Sequence, residues 1–289
     1  MNLPSTARSF LCGDYRLPLD RPLIMGIINA TPDSFSGDGV AFDVGRAIAQ
    51  AEQFIADGAD VLDIGGESTR PGSDPVSLEE ELRRVVPVIE ALSGLGVPLS
   101  IDSWKPEVMR AALAAGASLV NDINGLRAPG ALDVVAATHA GVCIMHMQGT
   151  PQTMQVSPSY ADVCREVTDF LLQSAQRAQD AGVDRSRIML DPGFGFGKTS
   201  EHNLALLQGL TELSRCGYPL LVGLSRKSVL GRLTGRPVTD RVAASVAAAL
   251  ASVARGAWMV RVHDVAATRD ALAVWQVAGV FPARPSGEN

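Results

Sequence analysis

The chain has 289 residues, of which 46% are apolar and 19% are charged. This length fits one large domain or two ordinary ones, and the composition excludes an intrinsically disordered chain. The net charge of −6 disfavours general binding to nucleic acid or to an anionic membrane.

The four cysteines show no spacing typical of disulfide frameworks or metal ligands, so we expect reduced thiols and a cytoplasmic location. The first residues lack the apolar run of a signal peptide. No stretch reaches about 18 uninterrupted apolar residues, so we expect no membrane span.

Short apolar runs alternate with helix-like segments along the chain. The predicted strands occupy residues 23–28, 61–65, 98–102, 118–122, 141–146, 187–191, 219–223 and 257–262. Helical patterns such as 44–59, 105–117 and 240–257 lie between them, and several end in Gly-Ala before the next strand. Eight such units in one chain of this size predict a closed (β/α)8 barrel, with a doubly wound open sheet as the alternative.

We expect a single barrel domain over residues 23–282, an N-terminal extension at 1–22 and a flexible tail at 283–289. Three connections are polar and rich in Gly or Pro: 29–39, 65–77 and 147–159. Loops of this kind are candidates for mobile lids over a site.

Polar residues stand at the end of every predicted strand. In chain order they are Asn29, Asp63, Asp102, Asn121, Asp122, His146, Asp191, the run Ser225 to Ser228, Arg261 and His263. One polar strand end is usually a turn or a helix cap. Because the loops after the strands of a barrel converge, the whole set predicts a single polar pocket.

The side chains of this set indicate the chemistry of its ligand. Ionised Asp102 and Asp191 only accept hydrogen bonds, whereas Lys227 only donates. A flat heterocycle with an amino-amidine edge beside a carbonyl group, such as a pterin or guanine, suits this combination. A second set suits an anion, and it consists of Asn29, Arg70, Arg261 and His263.

The stretch DPGFGFGKTS at 191–200 looks like a phosphate-binding loop but departs from that pattern. The position of the first glycine is taken by Pro192, which has no N–H for a phosphate. We therefore expect Asp191 to contact the ligand and the glycines to allow a tight turn. Lys198 is expected at the surface or at the start of a helix.

The segments MGIINATPDSFSGDG, DIGGESTRPGS, SIDSWKP, VNDING, MHMQGTPQTMQ, DPGFGFGK, GLSRKS and VRVHDV occur in order over residues 25–264. Together they resemble the dihydropteroate synthase family of folate biosynthesis. The resemblance implies a (β/α)8 barrel that joins a dihydropterin methyl diphosphate to 4-aminobenzoate and releases pyrophosphate. It also implies a homodimer and competition by sulfonamides.

The resemblance further assigns roles to individual residues. The implied pterin diphosphate contacts are Thr69, Asp102, Asn121, Asp191, Lys227, Arg261 and His263, with Arg261 stacking on the ring and Thr69, Arg261 and His263 at the diphosphate. The implied 4-aminobenzoate contacts are Phe35, Arg70, Pro71, Lys227 and Ser228. The implied magnesium contact is Asn29, and the implied catalytic residues are Asp102, Lys227, Arg261 and His263.

Three functions remain compatible with the sequence: the synthase, a pterin-dependent methyltransferase and a catalytically silent pterin-binding paralogue. No Ser-His-Asp or Cys-His constellation is recognisable, so catalysis should rest on charge placement. Asp63 is either a ligand contact or a residue that holds Asn29 and the second loop, and we favour the second role. The role of Glu67 stays open, and His146 is either a satisfied strand-end residue or a substrate contact.

Overall fold

The computed structural model describes residues 9–31, 44–68 and 73–279. Four of the predicted site residues, Phe35, Thr69, Arg70 and Pro71, lie outside these ranges, as does the predicted tail at 283–289.

The described chain contains an N-terminal hairpin and eight parallel strands. The hairpin strands are β1 (Ser9–Cys12) and β2 (Tyr15–Pro18). The parallel strands are β3 (Leu23–Asn29), β4 (Val61–Gly65), β5 (Leu99–Asp102), β6 (Leu119–Asp122), β7 (Gly141–Met145), β8 (Ile188–Asp191), β9 (Leu221–Val222) and β10 (Met259–Val262).

The eight parallel strands form one sheet in the order β8-β7-β6-β5-β4-β3-β10-β9. A parallel bridge between Leu190 and Leu220 then joins β8 to β9, and the Leu190 N–H donates to the carbonyl oxygen of Pro219 at 3.0 Å. The sheet is therefore closed, which confirms the predicted (β/α)8 barrel and excludes the open sheet.

Nine α-helices connect and cover these strands in the described ranges. They are α1 (Val44–Ala56), α2 (Leu78–Leu92), α3 (Pro106–Ala114), α4 (Ala131–Ala136), α5 (Val163–Asp180), α6 (Ser200–Ser214), α7 (Ser228–Thr234), α8 (Val242–Ala254) and α9 (Val265–Val277). Local sequence fixes several helix starts: Ser77 and Thr199 cap α2 and α6 through their hydroxyl oxygens. The main apolar core lies between the strands and this ring of helices.

The hairpin closes the amino-terminal end of the barrel, although the sequence indicated only an extension before residue 23. Phe10 and Cys12 are fully buried and pack with the inward-facing Met25, Cys143 and Met189 of the barrel. This apolar cluster fills the barrel floor, so the hairpin belongs to the core of the same domain.

No helix in the described ranges has both the length and the hydropathy required to cross a bilayer.

Candidate active site

The strand register places the predicted residues side by side at the carboxyl end of the barrel. Asn29 pairs with Gly65, Gly65 pairs with Asp102, and Asp102 pairs with Asn121 across β3 to β6. Side chains of paired positions in adjacent strands point to the same face of a sheet. The register therefore brings these side chains to one rim, as the sequence predicted.

Arg261 of β10 ties this rim together by two ion pairs. Its Nε donates to Asp63 Oδ2 and its Nη2 donates to Asp102 Oδ2, each at 2.6 Å. Asn121 Nδ2 also donates to Asp63 Oδ2, at 3.1 Å. Asp63 thus braces Arg261 and Asn121, and no hydrogen bond of the described residues joins it to Asn29, contrary to our expectation.

Each of the two carboxylates keeps one buried oxygen without a hydrogen-bond partner among the described residues: Oδ1 of Asp63 and Oδ1 of Asp102. Burial raises the pKa of Asp102 to about 7, against the positive charge of Arg261. A buried acceptor without a donor costs free energy, and such atoms often mark a functional site. The site is therefore suited to a ligand that brings N–H groups or positive charge.

Asp191 and Lys227 meet on the other side of the rim. Asp191 is buried, its Oδ1 accepts the Gly193 N–H at 2.7 Å, and burial raises its pKa against the charge of Lys227. The Lys227 ammonium donates to the carbonyl oxygen of Phe194 and lies 4.6 Å from the centre of the Phe196 ring. Burial lowers the pKa of Lys227 to about 8, against the charge of Asp191.

The segment after β9 is held in an unusual backbone conformation beside His263. Arg226 has a φ of 58°, and its guanidinium bonds to both carboxylate oxygens of Asp264 at 2.5 and 3.1 Å. Ser225 Oγ lies 3.0 Å from His263 Nδ1 and accepts the His263 backbone N–H at 3.2 Å. Ser228 then begins α7.

Lys198 is not at the surface, and this part of our prediction was wrong. It is 3% exposed, and its Nζ lies 2.9 Å from His146 Nδ1. The same Nζ donates to the carbonyl oxygens of Gly193 and Phe196, each at 3.0 Å. The helix instead starts after its cap at Thr199, so the lysine turns inward where the loop packs against the end of β7.

His146 is a satisfied strand-end residue, one of the two roles left open by the sequence. Burial lowers its pKa to about 3, and the positive charges of Lys198 and Arg127 add to this. Its ring packs edge-on against Phe170, with 4.9 Å between ring centres. The imidazole is therefore neutral at physiological pH, and its Nδ1 faces the Nζ of Lys198.

Glu67 supports the base of the second loop. The Lys105 ammonium donates to Glu67 Oε2 at 2.7 Å, to Glu81 Oε2 at 2.5 Å and to the carbonyl oxygen of Val76 at 2.8 Å. Glu67 Oε1 also accepts the Val76 N–H at 3.3 Å. These contacts join positions 67 and 76, which flank the predicted residues at 69–71, to α2.

An apolar wall at this end of the barrel was not predicted. Four buried side chains, with Trp104 and Phe196 packed against them, form a separate cluster: Ile123, Met145, Met147 and Met154. The methionines belong to β7 and to the polar connection after it, where the sequence shows the run MHM. A wall of this kind suits the face of a flat ring, because thioether groups pack well against aromatic systems.

Asn29 is the last residue of β3 and is half-buried at the rim. Its amide oxygen is a hard donor that suits Mg²⁺. Across the described ranges, no group of three or more His, Cys, Asp and Glu side chains could hold a metal.

A groove of about 680 Å³ lies at the opposite, amino-terminal end of the barrel. It is lined by residues of α3 and α4 and by Gly13 of the hairpin turn, with Arg110, Asp133 and His139 among them. None of the predicted site residues lies there. The groove is therefore separate from the predicted site, because chemistry in this fold resides at the carboxyl ends of the strands.

The closed barrel places a polar rim at the carboxyl ends of its strands, where enzymes of this fold bind their ligands. Residues 25–263 match the family described as pterin binding enzyme. The chain belongs to this family.

Among curated proteins, the dihydropteroate synthase of Neisseria meningitidis serogroup B is 52% identical over 275 residues, covering 93% of this chain and 96% of that protein. Two solved structures are similar in fold as well. Burkholderia cenocepacia dihydropteroate synthase complexed with 7,8-dihydropteroate gives a TM-score of 0.87 at 56% identity, over 94% of this chain and 97% of that one. Xanthomonas albilineans dihydropteroate synthase with 4-aminobenzoic acid gives a TM-score of 0.90 at 52% identity, over 96% of this chain and 100% of that one.

Proposed function

We propose that the chain is a dihydropteroate synthase, a transferase of folate biosynthesis. It joins (7,8-dihydropterin-6-yl)methyl diphosphate to 4-aminobenzoate. The amine nitrogen forms a bond to the methylene carbon, the C–O bond to the diphosphate breaks, and the amine loses a proton. The products are 7,8-dihydropteroate and pyrophosphate. The observation that carries this proposal is the convergence of Asp102, Asn121, Asp191, Lys227 and Arg261 on one rim.

The dihydropterin is bound by its polar edge in this proposal. Asp191 accepts two N–H groups from the amino-amidine edge, and Asn121 supplies both a donor and an acceptor. Lys227 donates to the carbonyl oxygen and a ring nitrogen, after leaving its present partner, the Phe194 carbonyl. Arg261 stacks on the ring. Its ion pairs with Asp63 and Asp102 hold the guanidinium in place for this contact.

Catalysis follows from placed charges. The diphosphate is a good leaving group, and the electron-rich dihydropterin delocalises positive charge from the methylene carbon, so no protein nucleophile is needed. The Asp102 carboxylate, with one oxygen unpartnered, stabilises this developing cation. Arg261 and His263 neutralise the departing diphosphate, with Thr69 as a further contact. His263 Nδ1 lies 3.0 Å from Ser225 Oγ, and this contact orients the imidazole at the rim.

The amide oxygen of Asn29 fits a magnesium ion, whose other ligands would be oxygens of the diphosphate and of water. When bound, such an ion would withdraw charge from the leaving group. From its position next to the backbone of Gly65, Asn29 would hold this ion beside the diphosphate through its amide oxygen.

The 4-aminobenzoate site adjoins Lys227 and Ser228, at the start of α7. Phe35, Arg70 and Pro71 complete it in this proposal, although they lie outside the described residues. Sulfonamides, which share the arylamine and an acidic group, are expected to compete there.

A pyrophosphate-release assay tests the proposal directly. Purified protein with the dihydropterin diphosphate, Mg²⁺ and 4-aminobenzoate should release pyrophosphate, and 7,8-dihydropteroate should accumulate in equal amount. Release without dihydropteroate, or binding of the pterin without release, would contradict the proposal; the second result would indicate a silent pterin-binding protein.

We further propose a homodimer that acts in the cytoplasm. Four large apolar side chains of the α7–α9 side are exposed by half or more: Leu233, Val238, Val274 and Val277. Exposed apolar groups on neighbouring elements are suited to association with a second copy. All four cysteines are free thiols, which agrees with a reducing compartment. Light scattering at micromolar concentration would test the dimer.

A further inference from the structure

Lys198 is a buried cation that the proposed reaction does not use. Its ammonium has three donors and meets four acceptors: the Gly193 and Phe196 carbonyls, the His146 carbonyl at 3.4 Å and His146 Nδ1. Burial lowers the pKa of Lys198 well below its usual range, and only the charge of Asp191 opposes this. Lysine is rarely buried, and burial of its charge costs free energy, so a structural or functional role for Lys198 is expected.

The acceptors of Lys198 belong to two segments that hold the ligand-binding rim. Gly193 and Phe196 lie in the loop after β8, and His146 directly follows β7. Gly193 approaches β7 so closely that a Cβ atom there would lie 1.9 Å from the His146 carbonyl oxygen. The lysine therefore fastens residues 193–198 against the end of β7 from within.

The fastened loop positions the two groups expected at the pterin edge. The Gly193 N–H bonds to Asp191 Oδ1 and fixes the direction of that carboxylate. The Phe194 carbonyl accepts from Lys227, and a Cβ atom at Gly195 would lie 3.2 Å from Lys227 Cδ. Displacement of the loop would move the acceptor and the donor of the pocket together.

We propose that Lys198 is a positioning residue for dihydropterin recognition: its ammonium, bonded to His146 and to the loop carbonyls, sets the geometry of Asp191 and Lys227. This rests on the proposed function of the rim. Lys198 itself does not touch substrate, because its three donors are directed to the protein.

The matched test compares two buried cations at opposite ends of β8. Lys198→Met removes the donors but keeps the length of the side chain. Arg187→Met is the control, because Arg187 is 9% exposed and donates to the Ala140 and Val135 carbonyls at 2.7 to 2.9 Å, before the strand begins. Both variants lose a buried cation with carbonyl partners, so both should lower the melting temperature.

Only Lys198→Met should change ligand recognition. Calorimetry with the dihydropterin diphosphate and Mg²⁺, without arylamine, should show a Kd raised by about tenfold or more. The KM for this substrate should rise likewise, while kcat at saturation changes less. Arg187→Met should keep the wild-type Kd and KM.

The outcomes separate this inference from the proposed function. A wild-type protein that neither binds the pterin nor releases pyrophosphate refutes the proposed function. A normal wild-type protein with equal Kd for Lys198→Met and Arg187→Met overturns the positioning role. If Lys198→Met does not fold, His146→Phe carries the test, since it removes one acceptor and retains a ring against Phe170. A raised Kd then supports the proposal and an unchanged Kd overturns it.

Discussion

Replacement of Asp191 by Asn tests pterin recognition without removing the local structure. The Asn side chain keeps an oxygen for the Gly193 N–H, now 2.7 Å away, but it presents an amide N–H where the ligand also donates. The variant loses two charge-assisted hydrogen bonds, each worth about 1.5–3 kcal/mol. The expected loss of about 3–6 kcal/mol corresponds to a Kd raised by about 10²- to 10⁴-fold.

Calorimetry with the dihydropterin diphosphate measures this loss, and thermal unfolding checks the fold. Burial raises the pKa of Asp191, so the neutral amide relieves a desolvation cost, and the melting temperature should not fall sharply. Asp122→Asn is a matched control: among the residues that the structure describes, this buried strand-end carboxylate accepts only the backbone N–H groups of Asn124 and Leu126. Equal Kd values for the Asp191 variant and the wild type would refute the assignment of the pterin edge.

Three further predictions concern ionisation, the barrel floor and the loop after β8. The pH profile of kcat/KM should be bell-shaped: activity is lost below about 7 as Asp102 gains a proton and above about 8 as Lys227 loses one. Asp102→Asn should remove the acidic limb, and a limb that persists would show that another group titrates. Phe10→Ala should lower the free energy of unfolding by about 3–5 kcal/mol in urea titrations, with kcat unchanged; a loss of kcat would link the floor to catalysis. Gly193→Ala should weaken pterin binding, because its φ is +68° and a Cβ would meet a carbonyl oxygen, whereas Gly94→Ala, at φ +99° with open space around it, should only lower stability. Equal pterin Kd values for both alanine variants would contradict this.

The barrel was predictable because its strands are short apolar runs that end at polar residues. Buried parallel strands show no polar alternation, and each run is therefore visible along the sequence. The strand at 219–223 is the exception, since only Leu221–Val222 is regular and Leu220 contributes an isolated bridge. A strand of this length carries too little local signal to define its bounds.

The hairpin at residues 9–18 was missed for a different reason. Its strands are four residues each, which is too short for a clear sequence pattern, and they gain stability from the barrel floor rather than from their own pairing. The turn at Gly13, with φ +57°, was the available local signal.

The site was predicted from strand ends, whereas its internal connections were not. The order of residues identifies Asp63, Asn121 and Arg261 as rim residues, but the bonds among them depend on side-chain directions across the barrel. Lys198 was misplaced because a lysine before a helix cap usually reaches solvent. Its burial follows from the fold of a glycine-rich loop over β7, which no local pattern encodes.

In the proposed reaction, one rim of the barrel binds the dihydropterin by its edge, and the adjoining cations bind the diphosphate. The most direct measurement is a crystal structure of the protein with the dihydropterin diphosphate and Mg²⁺. We predict the amino-amidine edge within hydrogen-bond distance of Asp191 and Asn121, and the diphosphate against His263. A ring bound in the groove between α3 and α4, or a diphosphate remote from Arg261, would contradict the account.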